Sequence, residues 1–278
     1  MDLVKEATIN LAKLFQELKP TPASYLKSER EIVAADVPLL KPMPVALVST
    51  FTIDFLRPYL VVESARRGLA VPVCTGPFNQ LEQQIFDAKS SLYEFNPNVV
   101  VIAARLEEMS SVLVHHFVSL TPTRIEAEVA AIQNRLRALI ENLQKNIKAY
   151  VLVFNFVNPI YLAADLADLS LDISQTSAVQ KINDSLARLC KEFSGVYMFD
   201  YARLVFEHGL NHWFNPKLWY MARLPLSLEA QINLGKKLAR CLRALFYPPC
   251  KCLVLDFDNT IWGGVLGEDG IGGIALGE

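Results

Sequence analysis

The sequence lacks an excess of either charge, and it lacks long hydrophobic runs. Its 278 residues carry 27 basic and 29 acidic side chains, a net charge of −2. That balance provides no electrostatic basis for binding nucleic acid or an anionic membrane surface. The longest apolar runs, such as Val99 to Ala104, stop well short of the roughly 18 residues that a membrane span requires. We therefore expect neither a nucleic-acid nor a membrane partner.

The sequence is also poor in cysteine, and its first residues lack a secretory signal. No two of its cysteines form a CxxC pair, which argues against a disulfide framework or a thiolate metal site. The segment Met1 to Leu18 lacks the basic start and the cleavage site of a signal peptide, and it predicts an amphipathic helix instead. We therefore expect reduced thiols and a cytoplasmic protein. The cysteines are Cys74, Cys190, Cys241, Cys250 and Cys252.

Hydrophobic residues nevertheless make up 52% of the chain, enough for a large core. From Pro44 onward, short β-branched runs alternate with longer amphipathic segments, which predicts right-handed βαβ crossovers around a buried sheet. The predicted fold is α/β, a doubly wound parallel sheet of about five strands with flanking helices. The expected strands are nearly all apolar, as burial on both faces requires: Val45 to Thr50, Val71 to Cys74, Val99 to Ala103, Ala149 to Phe154 and Val196 to Phe199.

Apolar residues at steps of three and four predict the connecting helices. The most regular pattern runs from Pro122 to Ile147, with Thr121 as a suitable cap. Further helices are predicted for Ile53 to Arg67, Ala178 to Phe193 and Leu228 to Leu245.

Prolines mark the expected domain borders. Lys19 to Pro44 holds five prolines, which favour an extended connector after the first helix. Pro248 and Pro249 break the last helix, and Lys251 to Leu255 predicts a new buried strand. The predicted division is residues 1–43 for the first helix and connector, 44–247 for the main domain and 248–278 for the start of a second domain.

Two carboxylates follow that last apolar strand, two residues apart. Asp256 and Asp258 stand where open α/β sheets bind their ligands, and alternate strand residues share one face. One carboxylate can attack phosphorus to form an aspartyl phosphate while the other protonates the leaving oxygen. Asp-x-Asp triplets also occur in loops without catalytic roles, but the apolar run before this one and Asn259-Thr260 after it favour phosphoryl transfer.

The run Asp256-Phe257-Asp258-Asn259-Thr260 resembles the first motif, DxDx(T/V), of haloacid-dehalogenase-type phosphotransferases. The longer stretch Lys251 to Gly270 resembles the FkbH-like subgroup of that superfamily. The resemblance implies that Asp256 is the nucleophile and Asp258 the general acid/base, that both bind Mg²⁺, and that Asn259 and Thr260 hold the phosphate. It also implies that residues 248–278 hold the first strand and loop of a haloacid-dehalogenase-like α/β domain.

The resemblance implies a function for the complete parent enzyme. FkbH-like proteins are associated with making glyceryl units on an acyl carrier protein in polyketide-type biosynthesis. A phosphoglyceryl group is taken from a glycolytic acyl phosphate, dephosphorylated and passed to the carrier thiol. The implied partners are therefore an acyl carrier protein and a phosphorylated three-carbon molecule, and the implied cofactor is Mg²⁺. The family's later Ser or Thr, Lys and acidic motifs do not follow before Glu278, so we expect the fragment itself to be inactive.

FkbH-like proteins also carry an N-terminal domain similar to SGNH hydrolases, and the predicted βα pattern fits that flavodoxin-like fold. By resemblance, Ser49 occupies the place of the hydrolase serine and Gly76 that of the second oxyanion donor. Ala103 to Glu107 replaces the expected Gly-x-Asn-Asp, and Met221 to Ser227 replaces the expected Asp-x-x-His. Without that histidine no base activates Ser49.

Two alternatives remain beside the phosphotransferase. One is a non-catalytic SGNH-like module that docks a carrier protein or positions the phosphatase half, and the other is a serine acylhydrolase that uses Ser49. The aromatic and polar segment Asn211 to Arg223 either lines a cleft or contacts the second domain, or it packs as an ordinary long loop. Asn155 and Asn158 follow a predicted strand and either face a site or cap a turn.

Overall fold

The computed structural model describes residues 11–35, 40–247, 252 and 254–276. The chain divides into two compact units, Met1–Arg243 and Ala244–Glu278. The larger unit holds a parallel sheet with packed helices, and the smaller unit holds a short strand pair with a helical turn. Within the described ranges no helix is both long and apolar enough to cross a membrane.

A five-stranded parallel sheet forms the centre of the larger unit. The strands of this unit are β1 (Lys41–Pro42), β2 (Val45–Ser49), β3 (Leu69–Ala70), β4 (Val73–Thr75), β5 (Val99–Ala103), β6 (Tyr150–Phe154) and β7 (Val196–Phe199). The central sheet has the order β4-β2-β5-β6-β7, and β1 pairs with β3 beside it. Every pairing is parallel. The predicted α/β fold with a five-stranded, doubly wound parallel sheet is confirmed.

The apolar composition of the strands matches their burial. All residues of β2 and β5 are buried, and the two strands pair from Val45 opposite Val99 to Ser49 opposite Ala103. The predicted strand Val71 to Cys74 appears instead as β3 and β4. Pro72 lies between them and has no N–H to donate to a ladder.

Helices connect the strands and cover the sheet. Their bounds are α1 (Pro22–Ala35), α2 (Arg57–Ala65), α3 (Leu81–Phe86), α4 (Ser91–Phe95), α5 (Leu106–Met109), α6 (Ser111–His115), α7 (Pro122–Asn146), α8 (Gln175–Glu192), α9 (Tyr201–His208), α10 (Leu210–Trp213), α11 (Pro216–Ala222) and α12 (Leu228–Phe246). Short 3₁₀ turns precede α2 at Asp54–Leu56 and α8 at Asp165–Ser170. The four helices predicted from periodicity are confirmed, with ends shifted by a few residues.

Local chemistry explains where two of these predicted helices, α7 and α8, begin. The Thr121 hydroxyl accepts the Arg124 N–H at 3.3 Å, and Pro122 occupies the first turn of α7, where no N–H is needed. At α8, Ser174 and Ser177 form a reciprocal capping box. Both helices pack their apolar faces on the sheet in the main core.

The prediction of an extended connector over Lys19 to Pro44 is wrong. Pro22 begins the 14-residue helix α1, because proline is accommodated in the first turn of a helix. Tyr25 and Ile32 are buried against α2 and α12 in a second apolar cluster. Residues 11–16 are also helical, whereas the first ten residues of the predicted Met1 to Leu18 helix and residues 36–39 lie outside the described part of the chain.

In the smaller unit, the described part of the predicted strand Lys251 to Leu255 does not form a strand. Val254 and Leu255 are irregular and exposed, and Lys251 and Leu253 lie outside the described residues. A strand needs neighbours to pair its backbone and to cover its faces. The unit contains instead β8 (Trp262–Gly263) paired antiparallel with β9 (Ala275–Leu276), and the short helix α13 (Leu266–Asp269).

Candidate functional site

The carboxyl edge of the central sheet brings together the loops that follow its strands. Between β2 and β5, where the strand order reverses, the Thr50 hydroxyl accepts the Arg105 N–H at 3.0 Å. The Thr50 N–H donates to the Ala103 carbonyl at 3.2 Å. These bonds join the two loops at the point where open α/β sheets form ligand crevices.

A cleft opens at this edge, and we refer to it as the edge cleft. It contains about 500 Å³ of empty space, part of it open to solvent, and its walls include Phe51 and Phe214. A cleft at this edge of the sheet with an apolar wall and a few polar groups has the composition of a small-molecule site. The polar side chains that line it are Arg105, Glu107, Asn155, Asn158 and Tyr201.

Asn155 is fully engaged within the protein. Its Nδ2 donates to Asp200 Oδ1 at 2.8 Å, and its Oδ1 accepts the Ala202 N–H at 2.8 Å. The side chain therefore ties the end of β6 to the first turn of α9, which is the capping alternative rather than a ligand contact. Asn158 is exposed at the cleft.

Arg105 is the strongest positive group in the cleft lining. Its Nη2 donates to Glu107 Oε1 at 2.7 Å, and its guanidinium carbon lies 4.1 Å from the centroid of the Trp219 ring. Such stacking is a cation–π contact. Sequence reasoning noted this stretch only for its missing Asn. The available signal was a charged residue two positions after a wholly buried strand.

The segment Asn211 to Arg223 is mostly helical rather than a long loop. Part of it packs in the interior and part of it lines the edge cleft. Trp213 is fully buried, and its Nε1 donates to the Tyr201 hydroxyl at 2.8 Å. Burial raises the pKa of Tyr201 well above its ordinary value. Phe214 lines the edge cleft, while Trp219 covers Arg105.

The structure places Ser49 and Gly76 in the sheet rather than at an open site. Ser49 is 2% exposed, and its Oγ accepts the Phe51 N–H at 3.0 Å. The Gly76 N–H donates to the Leu47 carbonyl at 2.8 Å, so this donor is already used in pairing beside β2. Neither group is oriented for acyl transfer by these contacts.

Thr52 occupies the more open position after β2, and sequence reasoning missed it. Its hydroxyl donates to the Ala222 carbonyl at 2.7 Å, and its N–H donates to the Arg223 carbonyl at 3.0 Å. Thr52 therefore contacts the stretch that replaces the hydrolase Asp-x-x-His. Its partners are backbone carbonyls, which cannot act as a general base.

His208 and His212 lie shortly before the stretch that replaces Asp-x-x-His, but they do not supply the missing base for Ser49. His208 Nδ1 lies 2.8 Å from the Leu204 carbonyl, and its ring centroid is 5.3 Å from that of Trp213. His212 is exposed, and its carbonyl accepts the Ser227 hydroxyl at 2.6 Å. Among the described hydrogen bonds, neither histidine reaches Ser49.

In the smaller unit the acidic motif forms a compact turn. Asp258 Oδ1 accepts the Trp262 Nε1–H and the Leu266 N–H, both at 3.1 Å. Asn259 has a left-handed backbone (φ 53°), and its Oδ1 accepts the Gly264 N–H at 3.0 Å. The side-chain oxygens of Asp258 and Asn259 therefore stabilise the turn by accepting N–H groups from the residues that follow them.

The other motif residues face solvent. Asp256 and Thr260 are exposed, and the Thr260 N–H donates to the Phe257 carbonyl at 3.2 Å. The roles assigned to Asp256, Asp258, Asn259 and Thr260 stay predictions.

The carboxylates of Asp256 and Asp258 have the right chemistry for Mg²⁺ but do not form a complete site. Magnesium prefers six oxygen ligands in octahedral geometry. Within the part of the chain that the structure describes, no group of three or more His, Cys, Asp and Glu side chains is placed to hold a metal. The described residues therefore supply two carboxylates of a magnesium ligand set, and the remaining ligands would come from water, a substrate phosphate or other groups.

The sequence matches the family described as FkbH, N-terminal domain, over residues 44–240. The chain belongs to the FkbH family. The match covers the central sheet and the edge cleft, and it ends shortly before the acidic motif. Comparison with curated proteins finds no match.

The solved structures that are similar to this FkbH-family chain include a phosphatase-containing protein and a lipase. The N-terminal part of the protein BF1531 from Bacteroides fragilis, which contains a phosphatase domain and was crystallised with Mg, is 23% identical with a TM-score of 0.70. The match covers 91% of this chain and 65% of that one, so this chain spans less than two thirds of its length.

The second structure is the lipase Lip_vut3 from a goat rumen metagenome, which is 11% identical with a TM-score of 0.52. Its match covers 72% of this chain and 96% of the lipase chain. Both likenesses concern the fold, and they agree with the expected α/β class.

Proposed function

We propose that this chain is the N-terminal part of an FkbH-type enzyme that transfers a phosphoglyceryl-derived group to an acyl carrier protein in polyketide-type biosynthesis. The observation that carries the proposal is an FkbH N-terminal domain over residues 44–240 followed by the motif Asp256 to Thr260. The family match and the motif support the same assignment from different parts of the chain.

In the proposed reaction the Asp256 carboxylate attacks the phosphorus of the phosphomonoester on the glyceryl group, and Asp258 gives a proton to the leaving glyceryl oxygen. Water then hydrolyses the aspartyl phosphate and releases inorganic phosphate. Asp258 Oδ1 already accepts two N–H donors, so Oδ2 is the oxygen that carries the transferable proton. Exposure of Asp256 leaves its carboxylate open to a phosphorylated substrate.

Dependence on Mg²⁺ is part of the proposal. It is supported by the carboxylate pair and by the magnesium-bound phosphatase domain of the BF1531 structure. Because the described residues do not complete a metal site, residues 1–278 alone are expected to be inactive as a phosphotransferase.

The test uses the native gene product, purified intact, with a three-carbon acyl phosphate, Mg²⁺ and an acyl carrier protein. We expect phosphate release together with a mass increase on the carrier thiol. Asp256→Asn should reduce release of the phosphomonoester phosphate by at least about a thousandfold, because it removes the nucleophile that attacks phosphorus. Asp269→Asn is the matched control, since Asp269 Oδ2 accepts only the Val265 N–H and the amide keeps an acceptor oxygen.

Two results would contradict the proposal. One is a native protein that shows no Mg²⁺-dependent transfer or phosphatase activity with any three-carbon acyl phosphate. The other is an Asp256→Asn variant as active as the parent protein.

A docking role for the domain of residues 44–240 is the second candidate. It is favoured by the absence of a base at Ser49 and Thr52 among the described contacts, which leaves an SGNH-like fold without its hydrolytic chemistry. The Asp256→Asn protein should then still bind the carrier protein in a calorimetric titration. Loss of binding in that variant would count against a docking role for this domain.

A further inference from the structure

Arg105 carries one donor that the protein leaves without an acceptor. Its Nη2 is paired with Glu107, and its guanidinium plane is covered by Trp219. Its Nη1 is buried and has no hydrogen-bond partner among the described residues. Buried polar groups are almost always paired, so an unpaired guanidinium nitrogen indicates that an acceptor arrives from elsewhere.

Tyr201 supplies a second available donor in the same cleft. Its oxygen accepts the Trp213 Nε1–H at 2.8 Å, and no hydrogen bond among the described residues uses its proton. Burial raises the pKa of the phenol, so the hydroxyl remains protonated at neutral pH. Arg105 and Tyr201 both line the edge cleft, and each keeps one donor without an acceptor among the described residues.

The charges around the cleft favour a monoanion. Glu107 offsets Arg105, and the guanidinium carbon of Arg223 lies 5.3 Å from the Trp219 ring centroid and adds one positive charge nearby. A carboxylate offers two acceptor oxygens and a single negative charge. A phosphate dianion would place additional negative charge beside Glu107.

We propose that the edge cleft binds a small organic monocarboxylate, whose two oxygens accept hydrogen bonds from Arg105 Nη1 and the Tyr201 hydroxyl. Phe51 and Phe214 form the apolar wall against which its short carbon chain lies. Nη1 is an arginine donor matched to carboxylate geometry. The site involves no residue of the smaller unit, and it does not rest on the phosphotransferase proposal.

The test is a titration of the intact chain with lactate, with lactamide as the neutral counterpart of the same shape and inorganic phosphate as the dianion. Trp219 stacks on Arg105, so intrinsic tryptophan fluorescence reports binding, and the melting temperature provides an independent readout. We expect lactate to bind with a Kd on the order of millimolar. Lactamide and phosphate should each bind at least about tenfold more weakly.

Substitutions in the lining of the edge cleft test whether lactate binds there. Arg105→Met should weaken lactate binding by at least about tenfold, and Arg105→Lys should also weaken it because lysine lacks the planar fork. Trp219→Phe should remove the fluorescence change but keep the shift in melting temperature. Arg135→Met is the matched control, since Arg135 pairs with Glu82 outside the cleft, and it should bind lactate normally.

Folding is checked separately by circular dichroism. Arg105→Met keeps the apolar stem against Trp219 and removes the unpaired buried donor, so it should fold with a melting temperature close to that of the parent. If it does not fold, Arg105→Lys and Tyr201→Phe decide the question. The proposal is overturned if lactate produces neither readout, if phosphate binds as tightly as lactate, or if these variants bind lactate like the parent.

Discussion

The phenolic hydroxyl of Tyr25 donates a 2.8 Å hydrogen bond to Glu63 Oε1 in the protein interior. The same carboxylate pairs with Arg66 at 3.3 Å and with Arg67 at 3.0 Å, although Glu63 is only 1% exposed. Burial, and then the bond to Glu63, raises the pKa of Tyr25 above its ordinary range. The contact links α1 to α2 through a buried charge.

Tyr25→Phe should lower the free energy of unfolding by about 1–3 kcal/mol, because a buried carboxylate loses one of its donors. Urea denaturation monitored by circular dichroism measures the change. Tyr220→Phe is the control, since Tyr220 is 80% exposed and its loss of a hydroxyl should have little effect. Equal midpoints for the parent and Tyr25→Phe would show that the bond contributes nothing.

Gly235→Ala should destabilise the protein although alanine is the better helix former. A Cβ at Gly235 would lie 2.8 Å from Tyr59 Cβ and 3.1 Å from the Tyr59 carbonyl carbon. Overpacking of this kind costs about 1–3 kcal/mol, more than the gain of up to about 1 kcal/mol from helix propensity. The same denaturation experiment measures it.

Gly267→Ala is the comparison for that prediction. Gly267 also lies in a helix, and nothing stands within 4 Å of its added Cβ. We expect the unfolding midpoint of Gly267→Ala to match that of the parent. If Gly235→Ala had the same unfolding midpoint as the parent, α12 could move away from α2 without a loss of stability, and the prediction would be wrong.

Thiol labelling at pH 8 should distinguish the cysteines. Burial raises the pKa of the Cys190 thiol to about 11 from 9.0, so its thiolate fraction at pH 8 falls by about a hundredfold. Cys252 is exposed and should react rapidly with a maleimide. Peptide mapping by mass spectrometry should find Cys190 unlabelled until the protein is unfolded, and prompt labelling in the native state would contradict its burial.

Short-chain esters should not be hydrolysed through Ser49. Its Oγ accepts the Phe51 N–H inside the sheet, and no histidine contacts it among the described residues. Any background hydrolysis of p-nitrophenyl acetate should therefore be unchanged in Ser49→Ala, while stability falls by about 1 kcal/mol as the Phe51 N–H loses its acceptor. Turnover that Ser49→Ala abolishes would establish the acylhydrolase alternative.

Much of the fold could be predicted from the sequence because parallel strands are buried on both faces. An uninterrupted apolar run such as β5 indicates a strand that is buried on both faces. A periodic pattern such as that of α7 indicates a helix with one buried face. The sequence does not predict helix α1, because the prolines around it favour an extended chain. Pro22 lies in the first turn, where the missing donor has no cost, and the partners of Tyr25 come from distant residues.

The candidate site was less predictable, for a physical reason. Asp256 and Asp258 form a local motif, so the sequence identifies them directly. The edge cleft depends on residues far apart in the chain, such as Arg105 and Trp219, whose contact arises only when α11 packs over the end of β5. No spacing rule in a single sequence predicts that stacking.

The helix α1 precedes the family match at residues 44–240, yet it supplies Tyr25 and Ile32 to the cluster that includes Val62 and Ile232. A recombinant product cut at residue 44 would uncover this apolar stripe and leave Glu63 with fewer donors. The segment that folds together is therefore longer than the family match over residues 44–240. A shortened version of this protein for expression should begin before Pro22.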